Sequence, residues 1–386
     1  MSLLLSYDPA PLRAPCAELD DWRARLDRAG ALPRRWAGRL LRDLEAEAVA
    51  ASVSMEQVPV TVDEVRRILA GERPATVRDE DQALVRGYRD AMEFVLRRAD
   101  DPGFRWSREL VVGLHDRVLA GNHALGAGRL AAGPRWVVDH RTGVEVFVPP
   151  PSEDIPDLVD RACQRMEQGH EHPAVASGWI HVALAAIHPF RDGNGRVSRV
   201  LASLATVRGG FRRREFTSLE EWWGGHLADY YGAFSCLGGA FDEAADVTPF
   251  LAVHVGAQLS QVRALDLRQR VERRIWEALE EVAADVRLKP RVVNALWDAF
   301  FDRDVTPAYY IPLADVSRAT ATTDLATAVA AGLLEPRGGG RSRRYLASPS
   351  LHELVAAPLG IDPVAHATRE SIVATLSRAL AEPSTS

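Results

Sequence analysis

Apolar side chains recur at helical spacing along most of this chain, which predicts a mainly α-helical protein. Between residues 34 and 58, Leu41, Leu44, Ala48, Ala51 and Met55 share one face, Arg42, Asp43, Glu45 and Glu47 fill the other, and Pro59 ends the run. Thr61 and Glu64 then form a capping box ahead of Val65, Ile68 and Leu69, with Gly71 as terminator. Two further helices are expected through Leu84, Tyr88, Met92 and Val95, and through Leu110, Leu114 and Val118.

The pattern changes between residues 128 and 151. Two β-rich runs, Arg135 to Val138 and Val144 to Val148, flank Asp139-His140-Arg141-Thr142-Gly143 and precede three prolines, which predicts a β-hairpin. Helical spacing returns from Asp154. The stretch Val175 to Ile187 is apolar nearly all round, so it is expected to be a central buried helix. A second core helix follows, because Val197, Val200, Leu201 and Leu204 repeat with the same period. From about residue 262 the texture shifts to a charged helix, Arg268 to Glu281, and then to a smaller unit ending near Leu346. The expected organisation is an N-terminal helical region over 1–109, a core over 110–261, a linker helix and second domain over 262–350, and a helical tail over 351–386.

Composition changes this picture little. With 386 residues, 47% hydrophobic and 26% charged, the chain can bury real cores and gives no sign of global disorder. A net charge of -6 excludes a uniformly basic, nucleic-acid-coating protein but leaves room for a local basic patch. Cys16, Cys163 and Cys236 are too few and too scattered for a disulfide framework or a paired zinc site, so a reducing cytoplasm is the expected location. The N-terminus lacks the cationic lead and apolar run of a signal peptide, and no stretch approaches the ~20 apolar residues of a membrane span. Lys289 is the only lysine, a bias expected of a GC-rich bacterial genome.

The chemistry concentrates between the two core helices, where residues 188 to 199 read His-Pro-Phe-Arg-Asp-Gly-Asn-Gly-Arg-Val-Ser-Arg. Gly193 and Gly195 let successive backbone N–H groups converge on one spot, and the positive end of the following helix adds its dipole, which makes an anion cradle. Arg196 and Arg199 sit in the first turns of that helix, where the dipole disfavours cations by ~0.3–1 kcal/mol each, and both suit polyphosphate oxygens. Asp192 is placed to hold a magnesium ion bridging such phosphates. His188, at the end of the buried helix, can act as general base on an incoming hydroxyl. Singly, each residue has a plainer reading as a turn glycine, an N-cap or a core histidine; their joint occurrence points to a site.

This run resembles the Fic family motif, His-Pro-Phe-x-Asp/Glu-Gly-Asn-Gly/Lys-Arg-x-x-Arg, at every specified position. The resemblance implies a Fic helical core with a β-hairpin flap, and an enzyme that transfers AMP from ATP to a Tyr, Ser or Thr hydroxyl of a protein. His188 would be the base, Asp192 the magnesium ligand, Gly193, Asn194 and Gly195 the phosphate nest, and Arg196 and Arg199 the holders of the outer phosphates. Doc-type toxins, which phosphorylate, carry Lys where Gly195 stands, so the resemblance favours AMP transfer. Trp136, Val137 and Val138 look like the flap that docks a target segment as an added strand. Tyr230 and Tyr231 occupy the place of the tyrosine pair on the adenine side, with plain core aromatics as the alternative. Ser52 to Glu56 is similar to the inhibitory Ser/Thr-x-x-x-Glu motif, in which Glu56 would pair with Arg199 and exclude the γ-phosphate. The family usually has Gly or Asn after this glutamate, whereas Gln57 stands here.

Residues 312–345 resemble a winged helix-turn-helix of the kind appended to bacterial Fic proteins, with a basic wing from Arg337 to Arg344 but a presumed recognition helix rich in Ala and Thr. DNA is therefore one expected partner, alongside a protein substrate, self-modification and a homodimer. Two other functions stay open: a DNA-binding regulator whose core senses nucleotide, and an enzyme that removes AMP through the same site.

Overall fold

Helices dominate, as the periodicity requires, in the computed structural model, which describes residues 4–28, 34–139, 142–169, 171–213, 219–340, 343–362 and 368–381, with the side chains of 34–43 left out of the description. The chain divides into two units between Arg263 and Ala264.

The first unit begins with α1 (Arg13–Arg28), α2 (Arg34–Ser54), α3 (Val62–Leu69), α4 (Asp79–Arg98) and α5 (Arg108–Val118). The hairpin β1 (Val137–Asp139) and β2 (Val144–Phe147) follows, then α6 (Ile155–Gln168), α7 (Pro173–Ile187), α8 (Asn194–Arg208), α9 (Leu219–Gly225) and α10 (Leu227–Ala233). The long helix α11 (Thr248–Asp285) contains the division point, so the shift in texture near residue 262 marks no helix end.

α7 packs along α8 at the centre. Trp179, Ile180, Val182, Ala183, Leu184 and Ile187 of α7 and Val197, Val200, Leu201 and Leu204 of α8 are all buried, which accounts for the near absence of polar positions in α7, whereas α8 also buries Asn194, Arg196, Ser198 and Arg199. α4 and α5 cover α8, α6 covers α7, and α2 lies against α3, α4 and α9. Gly178 permits a close crossing, because a Cβ there would stand 2.9 Å from Leu251 Cδ2 and 3.0 Å from His254 Cγ.

The capping box at α3 forms as expected: Thr61 accepts from the Glu64 N–H and the Glu64 carboxylate accepts from the Thr61 N–H. The helix expected over 34–58 ends earlier, at Ser54. Its carbonyls are closed by the Val58 N–H to Val53 O at 3.1 Å and the Gln57 N–H to Ser54 O at 2.9 Å, with Gln57 left-handed at φ 64. That is a Schellman stop, which acts before Pro59 is reached and leaves Glu56 at the C-cap.

In the hairpin, β1 and β2 run antiparallel with Val138 opposite Glu145 and Asp139 opposite Val144, and the register shifts between Val137 and Val138. His140 and Arg141 of the expected turn lie outside the described residues.

The second unit continues through α12 (Val293–Phe300), α13 (Pro307–Ala314), α14 (Arg318–Ala330), the antiparallel pair β3 (Leu334–Arg337) and β4 (Arg344–Ala347), α15 (Pro349–Ala356) and α16 (Arg369–Ala381). Val305 adds a bridge to Tyr345. Arg291 grips Asp324 through two hydrogen bonds of 2.6 and 3.0 Å, and the Tyr310 hydroxyl donates to the same carboxylate at 3.1 Å, tying α13 to α14. Arg341 and Ser342 of the expected wing, and the terminal 382–386, lie outside the described residues. Among the described residues no helix is long and apolar enough to cross a membrane.

Candidate active site

The residues 188 to 193 make the turn from α7 to α8, and the turn bonds mostly to itself. His188 is the C-cap of α7, left-handed at φ 49, with its N–H on Leu184 O at 2.9 Å. Gly193 is the N-cap of α8, also left-handed at φ 79. The Asn194 side chain closes the loop by accepting from the Phe190 N–H at 2.9 Å and donating to the Phe190 carbonyl at 2.8 Å. A left-handed, non-glycine residue held this way is conformational strain at a position of chemical interest.

Two arginines of α8 lie under this turn, both buried. Arg196 donates from Nη2 to Asp192 Oδ1 at 2.8 Å, yet its Nε and Nη1 have no acceptor among the described residues. Buried donors without partners are costly, so these two N–H groups mark where an anion fits. Four of the five N–H groups of Arg199 are engaged: Nε donates to Ser52 Oγ at 2.9 Å, Nη1 to the Tyr230 hydroxyl at 3.1 Å, and Nη2 to both Ser52 O at 3.0 Å and Glu56 Oε1 at 2.9 Å. Ser52 and Glu56, 147 and 143 positions earlier in the chain, thus occupy the guanidinium of Arg199, in contrast to the open donors of Arg196. Gly195 makes that possible, because a Cβ there would run into Glu56 Oε1.

Asp192 Oδ1 accepts from the Gly193 N–H at 2.5 Å and from Arg196, and its side chain is 41% exposed. Among the described residues no group of three or more His, Cys, Asp or Glu side chains is placed to share an ion. One accessible carboxylate beside the open donors of Arg196 has the chemistry of a magnesium ligand that leaves most coordination positions to anion oxygens and water.

Burial pushes His188 down to about 4, and the nearby positive charge of Arg135 acts in the same direction. The Ala185 carbonyl opposes both by favouring the protonated ring. In the neutral ring the nitrogen facing that carbonyl keeps its proton, which leaves the other nitrogen as the acceptor. Behind Arg199, burial likewise holds His254 at about 3 and drives His181 well below the usual range. His181 Nε2 lies 3.1 Å from the Tyr230 hydroxyl, and burial raises that phenol to about 12.

The two tyrosines part company. Tyr230 is buried against Arg199 and His181, whereas Tyr231 is 54% exposed and its hydroxyl donates to Met55 O at 3.0 Å, on the turn that carries Glu56. In the hairpin, Trp136 is 57% exposed and Val137 and Val138 half-buried, and Val144, Val146 and Val148 are exposed as well.

Several contributors carried no motif. Tyr88 donates to the buried Glu220 at 2.8 Å behind Ser52. Arg135 donates to Pro150 O at 2.7 Å while its Nε and Nη1 are buried without an acceptor among the described residues. His115 Nε2 meets the Asp192 carbonyl at 3.0 Å, and its ring stacks on Phe190 at 3.7 Å. For Tyr88, His115 and Glu220 the one signal was a polar side chain inside an apolar helical stripe, which does not say what it touches, and Arg135 precedes β1 with no such signal.

The Fic/DOC family model matches residues 105–206. A protein adenylyltransferase Fic from Nematostella vectensis is 26% identical over 189 residues, which cover 47% of this chain and 42% of that protein. A protein of the same name from Drosophila persimilis is 32% identical over 104 residues, covering 26% and 19% respectively. The chain therefore spans less than half the length of these relatives. Among solved structures, a Fic family protein from Desulfovibrio desulfuricans shares the fold with a TM-score of 0.57 at 21% identity, over 90% of this chain and 98% of that one. A Fic domain containing signaling protein from Bacteroides thetaiotaomicron does so with a TM-score of 0.55 at 19% identity, over 66% of this chain and 94% of that one.

Proposed function

Because residues 105–206 are a Fic domain, we propose that this chain is a protein adenylyltransferase, moving AMP from ATP to a side-chain hydroxyl of a protein, and that Glu56 restrains it. The observation that carries the reading is the contrast between two neighbouring buried cations: Arg196 keeps two donors open to an anion, while the same need in Arg199 is met by Glu56 and Ser52.

On this reading, backbone N–H groups at the start of α8 and the free donors of Arg196 take the polyphosphate, and Arg199 takes its outer end once Glu56 has left. Asp192 would hold a magnesium ion, which supplies charge neutralisation of the phosphates. The acceptor hydroxyl presents its oxygen to the α-phosphorus, and the acceptor nitrogen of His188 takes the hydroxyl proton. The new oxygen–phosphorus bond forms as the bond to the bridging oxygen breaks, and pyrophosphate departs. Exposed Trp136, Val144 and Val146 beside this turn suit a target segment that adds to the hairpin as a strand. In the second unit, three helices followed by an antiparallel pair support a winged helix with DNA as a second partner, although the exposed positions of α14 include Thr322, Thr323, Ala326 and Thr327 rather than a basic row.

The test is incorporation of label from α-labelled ATP with magnesium, using the Glu56→Gly protein with and without bacterial lysate. Label on the protein or on a lysate component that disappears in a Glu56→Gly, His188→Ala double variant supports the reading. Tight ATP binding with no His188-dependent label overturns it.

A further inference from the structure

His115 sits on α5, fully buried, 77 positions before the loop it touches. Its ring lies flat on Phe190, with centroids 3.7 Å apart and planes inclined by 10°. The Gly128 N–H donates to its Nδ1 at 3.2 Å, and since a backbone N–H can only donate, Nδ1 is the acceptor of the neutral ring. Nε2 therefore carries the proton and donates it to the Asp192 carbonyl at 3.0 Å.

That last bond has a geometric consequence. In a planar trans peptide the C=O and N–H point to opposite sides. Holding the Asp192 carbonyl toward α5 therefore turns the Gly193 N–H away from α5, where it meets Asp192 Oδ1 at 2.5 Å, on the same carboxylate oxygen as Arg196 Nη2. Nothing in glycine itself secures this choice. Gly193 stands at φ 79, and a residue without Cβ accepts the mirrored φ about as readily, so the 192–193 peptide can rotate and take its N–H out of the cradle. Three other peptides of the turn are tied independently: Ala131 N–H holds Pro189 O at 2.8 Å, Asn194 holds both groups of Phe190, and Val197 N–H holds Gly193 O at 3.0 Å.

We propose that His115 is a positioning residue for polyphosphate: by fixing the Asp192 carbonyl it selects the orientation of the 192–193 peptide that turns the Gly193 amide away from α5, onto the side of the turn where the Asp192 carboxylate meets Arg196 and where polyphosphate would bind. The inference rests on reading the turn as a phosphate cradle, and it adds a residue that the twelve-residue motif does not contain. It also assigns the strict burial of His115 a task distinct from filling the core.

The experiment compares His115→Gln, whose amide offers an NH2 donor group and a C=O acceptor, with His115→Leu and His115→Asn, all in the Glu56→Gly protein. Calorimetry measures binding of ATP, inorganic pyrophosphate and adenosine, and thermal melting confirms that each variant is folded. The expected result is a loss of tenfold or more for ATP and pyrophosphate in the leucine and asparagine variants, adenosine unchanged within about twofold, and substantial recovery in the glutamine variant. Should the leucine variant not fold, the asparagine variant, polar but too short to span both partners, gives the same contrast. Equal losses for ATP and adenosine, no loss in a folded variant, or a parent protein that binds no pyrophosphate would each overturn the assignment. If the parent binds ATP and pyrophosphate but transfers no AMP, the proposed activity fails while the affinity comparison still decides the role of His115.

Discussion

Arg199 Nη2 and Glu56 Oε1 meet at 2.9 Å across 143 positions of chain, with the arginine side chain almost wholly buried and the glutamate 23% exposed. The pair is asymmetric. Arg199 is also held by Ser52 and Tyr230, so it keeps its place when the glutamate is removed, whereas Glu56 sits on a helix C-cap that other contacts must fix.

Glu56→Gly is therefore expected to activate rather than disorder the site. A charge-assisted hydrogen bond is worth ~1.5–3 kcal/mol, which translates into a rise of about ten- to a hundredfold in AMP transfer. Initial rates with α-labelled ATP check this, and a rate equal to or below that of the parent removes Glu56 as a restraint.

Gln57 occupies the left-handed position of the Schellman stop, at φ 64. A side chain there costs roughly 1–2 kcal/mol, and glycine returns ~0.5–1 kcal/mol of that as lost chain entropy, so Gln57→Gly should stabilise the protein by about 0.5–1 kcal/mol. A firmer turn also holds Glu56 more closely, so basal transfer should fall. Denaturant titration and basal rate are read together, and a less stable or more active variant contradicts the account.

Gly195→Ala places a methyl group against Glu56 Oε1 and 3.0 Å from Arg199 Nη1. The substitution should destabilise the protein by about 1–3 kcal/mol in the parent and by distinctly less in Glu56→Gly, where the carboxylate is gone. A double-mutant cycle on unfolding midpoints measures the difference, and equal costs in both backgrounds would rule out the close approach.

Acid should unfold this protein earlier than its carboxylates alone would dictate. Burial holds His188 and His115 at about 4 and His254 at about 3, all below the ordinary 6.5. The unfolded chain then binds protons first as pH falls, so the stabilisation is complete above 6.5 and is lost between 6.5 and about 4. Each such histidine adds about 1.4 kcal/mol per pH unit to the slope within that window. Urea midpoints from pH 7.5 to 4.5 give the slope, and stability that stays level across the window contradicts the buried neutral imidazoles.

Much of this molecule is legible in its sequence. Helical spacing placed the two core helices, the Thr61 and Glu64 pair announced the start of α3, and the run of β-formers around Gly143 announced the hairpin, because each of these depends on residues within one or two turns of each other. The end of α2 was misplaced, since a left-handed Gln57 carries no local sign and the visible stop, Pro59, comes too late.

What the chain order alone determined was the twelve-residue run that makes the turn between α7 and α8, with its histidine, its glycines and its two arginines. What only the tertiary structure decided was which of those groups are free. Arg196 and Arg199 are three residues apart and chemically identical, yet one keeps open donors and the other is engaged by Ser52, Glu56 and Tyr230, and the Asp192 carbonyl is held by a histidine on α5. Periodicity reports which side of a helix faces the core, but the partner that arrives there comes from a distant segment whose position is fixed by packing of the whole unit.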